Sequence, residues 1–277
     1  MIKQQLKYGL KNKKFIFVIT IALVVKVYSV INEIFPYISL EGIIANITNS
    51  IESIPGPIDD PFNKYSLLAD SLKSYILVIP ILSAIPFATS YLEDIKSGEI
   101  NFINIRISNI KYRISKLLSN AVIGGLAIVI PSLIYICIIC IIFNGTHETS
   151  YIADLFGGMY NNLFKEHFMI YIIFHLFIEF LIGATYSTIA LATSTKIKNN
   201  IAIMLSPFLF YTICSVIFSL IGVTYFSPER INQFYMIDNV SFFEVFIGLL
   251  AIFVISSSVF LYSSKKESIY EESTENN

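Results

Sequence analysis

The chain has no tryptophan, only three cysteines and few charges: Asp, Glu, Lys and Arg make up 14% of its 277 residues. A soluble domain carries about a quarter. With 55% hydrophobic residues and a mean hydropathy of +0.69, an ordinary water-soluble globule is excluded. The formal net charge of −1 says nothing about nucleic acid, and there is no basic domain to suggest it. No G-x-x-x-x-G-K-[ST] loop occurs. ATP is therefore not bound in that way, and ATP-driven work would need a separate subunit. His-Glu-x-x-His and Gly-x-Ser-x-Gly are also missing. Cys137 and Cys140 have the spacing of a redox pair or half a zinc site, but no second ligand pair accompanies them. Together with Cys214 they read as small apolar residues buried in helices.

What the sequence does have is long apolar runs, several reaching the ~20 residues a helix needs to cross a bilayer core. Six are recognisable, at about 15–31, 74–92, 117–143, 167–193, 201–223 and 242–262. The expected fold is an all-α membrane protein with one domain over 1–264 and a disordered tail over 265–277. Pro80, Pro86, Pro131 and Pro207 fall inside spans. Each implies a kink whose freed carbonyls need partners within a packed bundle. The pair Gly124 and Gly125 lets another helix approach closely.

Ahead of the first span, Ile2, Leu6 and Leu10 recur every four residues, and so do Lys3, Lys7 and Lys11. An apolar stripe beside a cationic one marks an amphipathic helix lying in the interface of an anionic leaflet. The same start resembles the charged region of a signal peptide. The apolar run, however, continues to about Ile31 with no small-x-small site after it, which favours an uncleaved anchor.

Lys and Arg fix the orientation. With the N-terminus in the cytoplasm, fourteen basic residues fall inside: Lys3, Lys7, Lys11, Lys13, Lys14, Lys96, Arg106, Lys111, Arg113, Lys116, Lys196, Lys198, Lys265 and Lys266. Only Lys64, Lys73, Lys165 and Arg230 fall outside, and Lys26 lies within a span. Both termini are thus expected in the cytoplasm of a plasma-membrane protein. The first outer loop is acidic (Glu33, Glu41, Glu52, Asp59, Asp60, Asp70), and Ile43, Ile44 and Ile47 in it form a short amphipathic pattern.

Two places carry candidate chemistry. On the fourth span His175 and Glu179 are four apart and share a helical face with Tyr171 and Gly183. Ionisable residues inside a membrane are costly and often functional. A proton or substrate site, an ion pair of Glu179 with Lys26, and a protonated Glu179 bonded to a neighbouring helix are the alternatives. Two side chains alone make no metal site. The second place is Glu93 to Lys116, the longest polar interruption on the inner face. Its Ile103, Ile105 and Ile107 alternate like a strand, but an isolated strand on a membrane surface is disfavoured, so a helix or irregular turn is expected.

The cationic N-terminal helix, the first span, the sizeable outer loop and a second span ending in Glu93 are followed by Ser97-Gly98, a short segment, and Arg106-x-Ser with Tyr112-x-x-Ser115-Lys116. This resembles the permease subunit of type-two ABC transporters. Lys196, Asn199, Asn200 and Pro207 around the start of the fifth span are similar too. The chain departs from the pattern at Asn109-Ile110, where a proline is frequent. The resemblance implies a cytoplasmic coupling helix between spans two and three, within Gly98 to Ser108. Phe102 and Ile103 would enter an apolar cleft of an ATPase subunit, and Arg106 would pair with its acids. It also implies a dimer of permease chains, export of a peptide, antibiotic or lipid-like substrate, and no catalysis or cofactor in this chain. ATP and magnesium would belong to the partner ATPase. A non-transporting immunity or sensor protein is the competing expectation, and co-purification of an ATPase separates the two.

Overall fold

The computed structural model describes residues 1–38, 64–143, 158–223, 226–235 and 240–275. Among them all regular structure is helical. In chain order the helices are α1 (Ile2–Lys11), α2 (Lys13–Ile38), α3 (Lys64–Ile76), α4 (Ile79–Ala84), α5 (Ser90–Lys96), α6 (Glu99–Arg106), α7 (Asn109–Ile142), α8 (Asn161–Glu166), α9 (Phe168–Thr193), α10 (Asn200–Ile221), α11 (Pro228–Asn232) and α12 (Phe242–Glu275). Among the described residues five stretches are long and apolar enough to cross a membrane: Lys13–Asn32, α7, α9, α10 and Phe242–Lys265. They fall where five of the six spans were expected. Helix α12 continues beyond Lys265 to Glu275. The amphipathic pattern at Ile43, Ile44 and Ile47 lies outside the described residues.

The stretch expected as one span at 74–92 is not a continuous helix. It is built from α3, α4 and α5 with turns between them. Pro80 stands in the first turn of α4, and Pro86 lies between α4 and α5. Proline offers no N–H and its ring clashes with the carbonyl four residues back, so a helix breaks there unless repaired. Single-turn bonds carry the repair: the N–H groups of Val78, Leu82, Ile85, Ala88 and Glu93 donate to Tyr75, Val78, Ile81, Ala84 and Thr89. Helix α4 is buried at Ile79, Pro80, Leu82, Ser83 and Ala84 and packs against α7, α9 and α10.

Helix ends follow local chemistry. Asn12 is extended and its side chain accepts from the Lys14 N–H at 3.0 Å, separating α1 from α2. Asn199 caps α10 by accepting from Ile201 N–H at 2.9 Å, and Gly222 closes the helix at φ +77°, a left-handed conformation that glycine adopts without strain. Helix α1 rests on α7: Leu6 packs into the core, Gly9 is buried against Ile123 and Phe87, and Lys3, Lys7 and Lys11 face outward.

Helix α9 is the centre of the bundle. Half of its crossing stretch is buried, against 17% for α10 at the rim. Its main partner is α7, and the two run antiparallel. The Asn120 amide donates to the Ser187 carbonyl at 2.7 Å, and the Ser187 hydroxyl donates back to the Asn120 carbonyl at 3.2 Å. One turn further along α7, Gly124 meets Gly183, and Gly125 meets Phe180. Small residues at the crossing let the backbones touch, and dispersion then holds them. Carried on, the register sets Ser132 opposite His175 and Tyr135 opposite Ile172. All four line one cavity.

A Cβ on Gly183 would stand 2.8 Å from the Gly124 carbonyl oxygen and 3.1 Å from the Gly125 Cα, backbone atoms with no freedom to yield. Gly183→Ala is therefore expected to destabilise the bundle by roughly 1–3 kcal/mol, the usual cost of overpacking. Unfolding by SDS titration in mixed micelles reads the loss, and an unchanged midpoint would contradict the close α7–α9 contact.

Candidate functional site

Two polar assemblies stand out of the apolar bundle. The first is at mid-depth. Lys26 of α2, His175 and Glu179 of α9 are each at most 2% exposed. They share a small cavity with Ser71 and Leu72 of α3, and Ser132 and Tyr135 of α7. The Lys26 ammonium stands over the Tyr75 ring at 3.9 Å and the Tyr135 ring at 5.5 Å. Both tyrosines are anchored, Tyr75 donating to the Ile128 carbonyl at 3.2 Å and Tyr135 to the Leu67 carbonyl at 2.8 Å. The aromatic faces stabilise a desolvated ammonium by up to about 2 kcal/mol.

On α9 the His175 Nε2 lies 3.5 Å from Glu179 Oε1, as the spacing of four requires. His175 is enclosed by the rings of Tyr171, Phe234 and Tyr235 at 5.0 to 6.0 Å between centroids. Lys26 and Glu179 line the same cavity, with no ion pair between them among the described residues. All three ionisable residues singled out within the spans line this one cavity. The tyrosines that hold Lys26 carried no signal in the sequence, because Tyr and Ser are common and α7 is apolar on nearly every face. The cavity measures about 10 Å³, room for one water molecule. The assembly brings α2, α3, α7 and α9 together around this cavity.

The second assembly is at the end of the bundle where α1, α5, α6 and α7 meet. Gly98, at φ +73°, turns the chain from α5 into α6. Helix α6 takes up Ile103 and Ile105, and Ile107 ends it in an extended conformation at φ −140° and ψ 138°. Ile100 and Ile103 pack inward beside Tyr91, Tyr112, Leu191 and Phe260. Phe102 and Ile105 point out, 72% and 82% exposed, with Arg106 also exposed. Of the four residues singled out in this segment, Gly98 is the hinge of the turn, Phe102 and Arg106 are presented outward, and Ile103 faces the bundle. The outward apolar pair is Phe102 and Ile105.

Helix α5, behind α6, is tied to its neighbours by ions. Lys14 of α2 pairs with Glu93 at 2.5 Å and donates to Thr89 at 3.1 Å. Lys116 of α7 pairs with Asp94 at 2.5 Å, and the Tyr112 hydroxyl donates to the same carboxylate oxygen. Lys96 donates to the Lys198 carbonyl between α9 and α10 at 3.1 Å. A cavity of about 720 Å³ opens between α1, α5, α6 and α7, bordered by Glu93, Asp94, Glu99, Phe102, Arg106 and Lys116 among others. Lys116 had counted as one more inner-face cation, but Asp94 lies 22 residues away in sequence and nothing local announces the pair.

Cys137 is exposed and Cys140 half-buried, three apart on α7. Neither belongs to a group of three or more metal-binding side chains among the described residues.

Two opposite charges buried in one cavity would compensate each other, and removing one would leave the other alone. Lys26→Met is expected to cost roughly 3–5 kcal/mol of bundle stability. Adding Glu179→Gln should restore at least half, and a double-mutant cycle in mixed micelles measures the coupling. Strictly additive losses would show that the two charges do not depend on each other. No family model, curated protein or solved structure matches this chain.

Proposed function

We propose that this chain is the membrane permease subunit of an ATP-driven ABC transporter that exports a peptide, antibiotic or lipid-like molecule. In this reading the segment Lys64–Lys96 makes the sixth crossing. Both termini lie in the cytoplasm, α1 lies along the inner interface, and α6 is the coupling helix. Two permease chains pair, and each receives a separate ATPase subunit. ATP and magnesium are bound by that subunit, and this chain contributes no catalytic residue.

The observation that carries the proposal is the build of α5 and α6. Helix α6 offers Phe102, Ile105 and Arg106 to the outside. An exposed apolar pair beside a cation is the composition of a partner contact. Helix α5 is joined by Lys14–Glu93 to α2, by Lys116–Asp94 to α7 and by Lys96 to the α9–α10 turn. A push on α6 is thereby delivered to several crossings at once. The basic bias of this end of the bundle supports its placement in the cytoplasm. The acidic first outer loop favours cationic cargo.

The test is co-expression with any ATP-binding subunit found encoded beside this chain. Phe102→Ala with Ile105→Ala and Arg106→Ala is expected to lower co-purified ATPase by roughly tenfold or more, as loss of central contact residues does. Membrane insertion should stay normal, since all three side chains point away from the bundle. Unchanged co-purification and unchanged ATPase stimulation would overturn the assignment of α6. Failure of any ATP-binding subunit to co-purify with the unaltered chain would turn the reading toward a non-transporting membrane protein.

A further inference from the structure

A groove runs along the bundle surface between α9, α10 and α12. Its walls are Ile189, Phe210, Ile252, Ile255 and Val259, and its volume is about 390 Å³. The polar atoms in the wall are already engaged. Ser256 shares a hydrogen bond with Thr188 at 2.8 Å, and the Thr193 hydroxyl donates to the Ile189 carbonyl at 2.9 Å. The wall therefore behaves as hydrocarbon along its length.

Its mouth is different. Helices α9 and α12 run in parallel, since Thr188 meets Ser256 and, further on, Leu191 clusters with Phe260. Lys196, which also lines the groove, thus stands at the end where α12 approaches Lys265. Lys196 is exposed, and among the described residues no ion pair engages it. Lys96 reaches the same turn through its bond to the Lys198 carbonyl, which concentrates positive charge there.

Depth agrees with one kind of occupant. From Val259 to Ile252 the groove follows α12 for seven residues, about 10 Å at the helical rise. One leaflet of a bilayer core is about 15 Å deep. The groove therefore begins at a cationic rim and ends within the same leaflet.

We propose that the α9–α10–α12 groove is a binding site for an anionic phospholipid, with one acyl chain along Ile252, Ile255 and Val259 and the headgroup phosphate at Lys196. A neutral lipid would fill the apolar wall equally well but would leave the lysine without its counter-charge. Among the residues lining the groove only Lys196 is charged, and the preference for an anionic headgroup comes from it. Only the identity of the leaflet, the cytoplasmic one, rests on the orientation proposed above.

The absence of tryptophan provides a clean probe. Tyr262 is 76% exposed on α12, three residues beyond Val259, and Tyr262→Trp puts a single fluorophore at the rim. The full chain is reconstituted in phosphatidylcholine vesicles. These contain either brominated phosphatidylglycerol or brominated phosphatidylcholine at equal bromine content. The expected result is stronger quenching by phosphatidylglycerol, corresponding to about a five-fold preference, the effect of one lysine near an anionic surface. Lys196→Gln should abolish the preference, and Lys3→Gln on α1 should leave it intact. Equal quenching by both lipids would overturn the proposal, as would a preference that survives Lys196→Gln. Quenching by neither lipid would show the groove to be covered by protein, such as a second copy, and would overturn it too. None of these outcomes bears on ATPase co-purification, so the groove and the transporter reading fail separately.

Discussion

A helix interrupted inside an apolar bundle frees main-chain N–H and C=O groups, and hydrocarbon cannot satisfy them. Pro80 and Pro86 create that problem in Lys64–Lys96, and the rest of the bundle is arranged around it. The short helix α4 is enclosed by α7, α9 and α10, and single-turn bonds bridge its two ends. Enclosing α4 requires α7 and α9 to lie close together, which Gly124, Gly125 and Gly183 allow. The same register places Ser132 and Tyr135 opposite His175 and Ile172, and so closes the cavity that Lys26 enters.

The two polar assemblies solve one electrostatic difficulty in different ways. At mid-depth, water is excluded, so each charge needs an opposite charge or an aromatic face, and Lys26 stands over the rings of Tyr75 and Tyr135 in the cavity it shares with Glu179. At the charged end, Lys14–Glu93 is a third exposed while Lys116 is buried against Asp94. The exposed pair is screened by water and contributes little by itself. Its value lies in connection. Together with Lys116–Asp94 it makes α5 a link between α6 and the helices α2 and α7.

Much of this was legible in the sequence, and the physical reason differs from element to element. Five crossings could be read because twenty consecutive apolar residues have few other uses. Lys26, His175 and Glu179 were conspicuous because charge is rare in such runs. Pro80 and Pro86 announced a disturbance, but whether a proline kinks a helix or divides it depends on the neighbours that accept the freed carbonyls, and those are distant in sequence. The isoleucines at 103, 105 and 107 alternate, so local pattern alone favoured a strand. Packing of Ile100 and Ile103 on Tyr91 and Phe260 makes the segment helical and turns Ile105 outward in place of Ile103. Tyr75, Tyr135 and Asp94 had no distinguishing signal, since their roles exist only once α2, α3, α5 and α7 are side by side.

The central claim is that the divided segment Lys64–Lys96 passes completely through the membrane, giving six crossings and placing α6 on the same side as both termini. Cysteine accessibility addresses it directly. Cys137, Cys140 and Cys214 are first replaced, and single cysteines are then introduced by Lys64→Cys or Ser97→Cys. Intact cells are treated with a membrane-impermeant maleimide. The account predicts that Lys64→Cys labels from outside, and that Ser97→Cys labels only after the membrane is permeabilised. Labelling of both positions from the same side would contradict it, leaving five crossings and a segment that enters and returns.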